Sequence, residues 1–226
     1  MQQNTKERKA KYWLFPLLIS VIVYSNSLWN QFVLDDGLII VNNSLVKEGV
    51  SAIPKLLTTN YAHGLNQFND GLYRPLSPVM FAIEYQVGAG NPMIHHFVNI
   101  LLYALTVALI FSLITRIFSD QDKIFAWLVS VIFALLPIHT EVVANIKSRD
   151  EILALLNFLL ALYFVLKYMD KKTVLQLILS FVFFFLSLFS KESALTLIAI
   201  FPLVLNYLKK YNFKSTLPIY TGFVAI

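Results

Sequence analysis

Three short strings hold the residues of this chain whose types and spacing could do chemistry. The first is Phe32-Val-Leu-Asp-Asp-Gly37, with adjacent carboxylates at Asp35 and Asp36. Asp-Gly favours a turn, but an acidic pair among apolar residues is costly at a membrane boundary unless it has partners. The residues alone leave turn and function level. The second string runs from Pro137-Ile-His-Thr-Glu141 to Ser148-Arg-Asp-Glu151. Ser148 and Glu151 have the spacing of a capping box that starts a helix. That leaves His139, Glu141, Arg149 and Asp150 without a structural role. The third is Ser190-Lys191-Glu192-Ser193, wedged between Phe189 and Ala194. A serine cap with a local ion pair would account for it, although charge beside apolar segments is expensive. Carboxylates can act as general bases, and cations hold phosphates by charge and hydrogen bonds. Gathered at one place together with Arg74, these groups would suit chemistry on a phosphate-bearing substrate. His95-His96 are weak metal ligands, because neighbouring side chains on a helix diverge by about 100°. With no Cys in the chain, thiolate chemistry and disulfides are excluded.

The elements that must position these strings are membrane helices. Of the 226 residues 58% are hydrophobic and 14% charged, against about 45–50% and about 25% in a soluble domain. A spanning helix needs roughly 20 apolar residues. The uncharged runs predict an all-α polytopic membrane protein with spans over 12–29, 97–117, 124–137, 152–166, 173–189 and 194–208. The first follows a basic stretch but precedes no small-residue cleavage site, so it reads as a retained span. A seventh run, 217–226, stops after ten residues, which predicts that the protein continues.

With a cytoplasmic N-terminus, Lys6, Arg8, Lys9, Lys11, Arg116, Lys123, Lys167, Lys171, Lys172, Lys209, Lys210 and Lys214 fall inside. Only Lys47, Lys55, Arg74, Lys147, Arg149 and Lys191 fall outside. That asymmetry is the positive-inside pattern. It explains the net charge of +5 by orientation and leaves no case for a nucleic-acid partner. All three chemical strings then face outward. Residues 30–93 form a long outer loop. In it Leu76, Met80, Ile83 and Val87 recur at helical spacing behind Pro75, and Ser51 to Leu57 carries a second apolar side. These predict amphipathic helices at the membrane interface.

In these residues the chain resembles the membrane half of the transmembrane-and-tetratricopeptide-repeat proteins, a branch of the GT-C glycosyltransferases related to protein O-mannosyltransferases. The matching strings are Phe32-Val-Leu-Asp-Asp36, Tyr73-Arg-Pro-Leu76, Pro137-Ile-His-Thr-Glu141 with Ser148-Arg-Asp150, and Ser190-Lys-Glu192, in the family's order. Many relatives carry His-Pro where this chain has Leu136-Pro137. The resemblance implies a GT-C-like helical bundle. It also implies transfer of a sugar from a polyprenyl-phosphate donor to a protein or glycan hydroxyl at the outer face, with Asp35 and Asp36 as the catalytic pair. On that reading Arg74, Arg149 and Lys191 meet the donor phosphate, and His139, Glu141, Asp150 and Glu192 support the site. A divalent cation, Mg²⁺ or Mn²⁺, is compatible, since such ions are held through one or two carboxylates plus substrate phosphates. Membrane lipid is the surrounding partner. Short basic inner loops point to a bacterial inner membrane with a periplasmic active face. The competing readings are a transporter or flippase for an anionic lipid, whose site would lie near the bilayer midplane, and a non-catalytic membrane scaffold.

Overall fold

The computed structural model describes residues 12–208, 216, 219 and 221–223. The expected span 217–226 and the basic residues Lys6, Arg8, Lys9, Lys11, Lys209, Lys210 and Lys214 lie largely or wholly outside the described residues. Among the described residues the fold is helical throughout, without strands.

The first apolar run forms α1, Leu14–Tyr24, and then tightens into a 3₁₀ turn over Ser25–Trp29. The loop that follows has its own framework: α2 (Ser44–Lys47), α3 (Ile53–Leu56) and α4 (Leu76–Gly88). Asn43 caps α2 by accepting the Val46 N–H at 3.2 Å. Its side chain lies against Gly64, where any Cβ would meet Asn43 Oδ1 at 1.7 Å. The loop packs around Ile39, Ile40, Val46, Tyr61, Ala62, Phe81 and Ile146. It is therefore a folded cap on the bundle.

Next come α5 (Pro92–Ile117), α6 (Lys123–Leu135), α7 (Thr140–Val143) and α8 (Arg149–Lys171), followed by α9 (Val174–Ser190) and α10 (Ile200–Tyr207). The starts of α5 and α6 follow local rules. Asn91 accepts the Met93 N–H ahead of Pro92, and Asp122 accepts the Ile124 N–H, each satisfying an orphan donor of the first turn. Pro137 stops α6: Leu136 turns extended, as residues before proline do, and the chain bends by 51° into α7.

Six spans were expected. Among the described residues two helices are long and apolar enough to cross a membrane, Pro92–Ile117 and Ile146–Lys171, or up to three if the bent pair Lys123–Leu135 and Pro137–Val143 is one span. The other expected spans are apolar helices of shorter length, Leu14–Trp29, Val174–Ser190 and Glu192–Tyr207. At about 1.5 Å per residue, α5 and α8 comfortably exceed a hydrocarbon core of about 30 Å. They run side by side in the same direction: Asn99 and Arg149 meet near their starts, and Arg116 and Asp170 pair near their ends.

The apolar core fills the length between. Phe158, Ala161, Leu162, Val165 and Leu166 of α8 pack on Phe184 of α9, Phe201 and Leu205 of α10, and Phe223. Nearer the start of α5, Tyr24, Ile100, Tyr103, Val107, Ala134 and Val143 form a second cluster. Buried serines in the helices bond to backbone carbonyls, such as Ser180 to Leu177 and Ser187 to Ala154.

Helix α4 is where the pattern put it, with Ile83 and Val87 of its stripe exposed and Ser77, Pro78, Phe81, Ala82 and Glu84 on its buried face. One expectation needs correction. The capping box does not form. Ser148 precedes α8 without a side-chain cap bond, the Glu151 N–H goes to Asp150 Oδ1, and the Glu151 carboxylate goes to Lys191. A distant cation outcompetes the local backbone donor.

Phe158 is 1% exposed within the α8–α10 core, whereas Leu175 on α9 is 66% exposed. Phe158→Ala is expected to cost about 3–5 kcal/mol through the cavity it leaves, and Leu175→Ala to stay within about 0.5 kcal/mol. Thermal unfolding of the purified variants in detergent checks the contrast.

Candidate functional site

The three strings and Arg74 meet at one end of the bundle, the end where α5 and α8 begin. The tightest junction is at Asp36. This carboxylate is fully buried. Its Oδ2 accepts the Val33 N–H at 3.0 Å and its Oδ1 accepts the Lys147 N–H at 2.8 Å, across 111 residues of chain. The Asp36 N–H closes the same turn by donating to the Val33 carbonyl at 3.0 Å. Leu34 is held at φ +47° and is 85% exposed, a left-handed conformation that costs a non-glycine residue of order 1–3 kcal/mol and marks a locally over-determined backbone. Burial pushes the Asp36 carboxyl above its ordinary range, opposed by its two backbone N–H bonds and by His95. Asp35, its neighbour, is exposed. The adjacent carboxylates thus occupy opposite environments.

Arg74 is the second junction. It is 6% exposed. Its guanidinium donates to Asp150 Oδ2 at 2.7 Å through Nη1 and forks onto Glu192, through Nε at 2.8 Å and through Nη2. One side chain of the capping loop thereby joins the start of α8 to the turn after α9. Burial works against the Arg74 charge, but the hydrogen bond it donates to Glu192 and the charge of Asp150 outweigh it and raise its pKa. The guanidinium lies 5.9 Å over the Tyr61 ring. Burial, with Asp150 next, pushes the Tyr61 phenol well above its usual value.

Arg149 lies deeper, fully buried. Nε donates to Asn99 at 2.7 Å, Nη2 to the His95 carbonyl at 2.9 Å and Nη1 to Glu84. Its guanidinium sits 4.5 Å from the centre of the Phe81 ring. Glu84 also holds His95 Nδ1 at 2.6 Å. This set ties α4, α5 and α8 together.

Lys191 pairs with Glu151. His139 lies at the α6–α7 bend, with Nδ1 2.7 Å from the Tyr103 hydroxyl and 2.9 Å from the Phe133 carbonyl. Glu141 is exposed on α7. His95 and His96 are both buried. Among the described residues no three His, Asp or Glu side chains are grouped so as to hold a metal ion. Beside the Glu151–Lys191 pair opens a cavity of about 300 Å³, lined mainly by apolar groups such as Phe133, Ile152, Leu155 and Leu197.

The structure brings Arg74, Asp150 and Glu192 into linked contacts, places Arg149 beside Asp150 in the chain, and ties Asp36 to the Lys147 N–H just ahead of them. The sequence reading missed Glu84, Asn99 as a partner of Arg149, and Glu151 as a partner of Lys191. A signal for Glu84 existed: Ser77, Phe81 and Glu84 recur at helical spacing on a face of α4 about 100° round from the Leu76–Val87 stripe.

These features define a helical membrane protein with a charged site at one end of its bundle. The chain belongs to the dolichyl-phosphate-mannose-protein mannosyltransferase family, whose sequence pattern matches residues 75–226. It is 35% identical over 145 residues to human protein O-mannosyl-transferase TMTC1, covering 63% of this chain and 16% of that protein. It is 29% identical over 186 residues to protein O-mannosyl-transferase F38B6.6 of Caenorhabditis elegans, covering 79% and 26%. With human protein O-mannosyl-transferase TMTC2 it shares 38% over 96 residues, covering 42% and 11%. The chain therefore spans only a minor part of the length of these relatives. No solved structure matches it.

The two acids should respond differently to amidation. Asp36→Asn keeps one acceptor oxygen for two partly buried N–H groups, so one loses its partner at a cost of about 1–3 kcal/mol. Asp35→Asn should stay within about 0.5 kcal/mol. Equal thermal midpoints for the two variants would contradict the geometry. Arg149→Met strands Glu84 and should cost about 3–5 kcal/mol, seen as loss of monodisperse protein on size exclusion.

Proposed function

We propose that the protein takes part in mannosyl transfer from a polyprenyl-phosphate donor to a hydroxyl of a protein acceptor, at the non-cytosolic face of a membrane. Membership of the mannosyltransferase family supports the reaction class, and the relatives named as protein O-mannosyl-transferases support a protein acceptor. The observation that carries the reading is the division of the acid pair: Asp36 buried and bonded on both oxygens, Asp35 exposed on the turn that Asp36 fixes.

The mechanism follows from that division. Asp35 takes the proton of the acceptor hydroxyl as its oxygen attacks the anomeric carbon. The bond from that carbon to the donor's phosphate oxygen breaks, and its electrons leave with the polyprenyl phosphate. Single displacement inverts the anomeric centre and needs no covalent intermediate. Arg74, held by Asp150 and Glu192, fixes the capping loop over the helices. Arg149 is a positioning residue, since its burial leaves it no face toward a substrate. The apolar cavity beside Glu151 and Lys191 suits the first units of a prenyl tail. Orientation rests on charge: Arg116, Lys123, Lys167, Lys171 and Lys172 cluster toward the end of the bundle opposite the site, which the positive-inside rule puts in the cytosol. The outward Ile83 and Val87 of α4 suit contact with the lipid interface.

Asp35→Asn in the full-length protein is expected to lower transfer from a polyprenyl-phosphate mannose to a Ser/Thr peptide by about 10²–10⁴-fold, the usual worth of a general base. Expression and thermal midpoint should match wild type. Undiminished transfer by this variant would overturn the assignment.

A further inference from the structure

The three cations that the sequence offered to the donor phosphate are already engaged. Arg74 is held by Asp150 and Glu192, and Lys191 by Glu151. Arg149 is sealed, with all three guanidinium nitrogens bonded to Glu84, Asn99 and the His95 carbonyl. A guanidinium neutralised by two carboxylates offers little net charge to an incoming anion, and a fully buried one cannot touch it. The site, as first read, therefore lacks a free cation for the phosphate.

We propose that Lys147 is that cation, a phosphate-binding residue for the polyprenyl-phosphate leaving group. The inference deepens the transferase reading and rests on it. Lys147 is half-buried. Its backbone N–H donates to Asp36 Oδ1 at 2.8 Å, while its ammonium makes no ion pair or hydrogen bond among the described residues. The same carboxylate that fixes the turn of Asp35 thus fixes the backbone of Lys147. The base and the cation ride on one clamp.

In-line displacement makes this spacing useful. The base must stand on one side of the anomeric carbon and the stabiliser of the leaving group on the other. The two must be about a sugar ring apart. A lysine's flexible four-carbon stem covers such a gap and delivers a compact charge with three donors. As the bond between the anomeric carbon and the phosphate oxygen breaks, the phosphate gains one negative charge and the acceptor proton goes to Asp35. A cation at the phosphate is therefore worth more in the transition state than in the ground state. Lys47 and Lys55 are exposed, but they stand on α2 and α3, whose residues make no bond to the Asp36 carboxylate.

The test is binding of polyprenyl phosphate, without sugar, to the full-length protein in lipid nanodiscs, measured by calorimetry for wild type, Lys147→Met, Lys147→Gln, Lys147→Arg and Lys55→Met. Losing a charged hydrogen-bonded contact should weaken binding by about ten-fold or more in the Met and Gln variants. Lys147→Arg should stay within a few-fold of wild type, and Lys55→Met should match it. Thermal midpoints near wild type show that the loss is local, and the Gln variant, which keeps a polar side chain there, covers a misfolded Met variant. Wild-type affinity in a folded Lys147→Met or Lys147→Gln variant overturns this inference and leaves the transferase reading standing. A wild-type protein that does not bind polyprenyl phosphate at all overturns both.

Discussion

A buried carboxylate with two backbone N–H donors from distant parts of the chain is the constraint on which this site depends. Asp36 gives up its hydration entirely, which is costly for a carboxylate. Charge-assisted bonds from Val33 and Lys147 offset that cost. In return the turn cannot slide: Leu34 is held left-handed and outward, and the next residue that can face solvent is Asp35. The capping loop is thereby registered against the segment between α7 and α8 to within a hydrogen bond. No apolar contact offers comparable directionality.

The ionic framework around that clamp follows the same logic on a larger scale. Arg74 and Arg149 bind carboxylates contributed by other elements. Buried pairs of this kind add little net stability over an apolar packing, but removing one partner is severe. They therefore act as registration devices that allow few alternative arrangements of α4, α5 and α8. The charge is confined to the ends. Between the Arg149 cluster and the Arg116–Asp170 pair lies an interior of Phe, Leu, Ala and Val, as a hydrocarbon solvent requires. A substrate with a charged head and an apolar tail matches such a division.

Much of this was legible in the sequence because it depends on short-range rules. Apolar runs located the helices, and the three strings were expected to share one face. What was not legible depends on partners far along the chain. Arg74 finds Glu192 across 118 residues and Arg149 finds Glu84 across 65, and nothing local distinguishes these pairs from a free cation. Glu151 shows the difficulty most clearly: its spacing from Ser148 fits a cap, yet Lys191 is the stronger partner. Glu84 is a similar case: its partner Arg149 stands on another helix, so nothing near it in the chain announces the pair. Asp35 and Asp36 could not be told apart as two identical letters; only burial separates them.

The most direct test of the account is a structure of the full-length protein with a bound polyprenyl-phosphate sugar. The account predicts the anomeric carbon beside the Asp35 carboxylate, with Asp36 still bridging the Val33 and Lys147 amides. A sugar bound at the Arg116–Asp170 end of the bundle, or lying against Asp36 with the bridge opened, would contradict it.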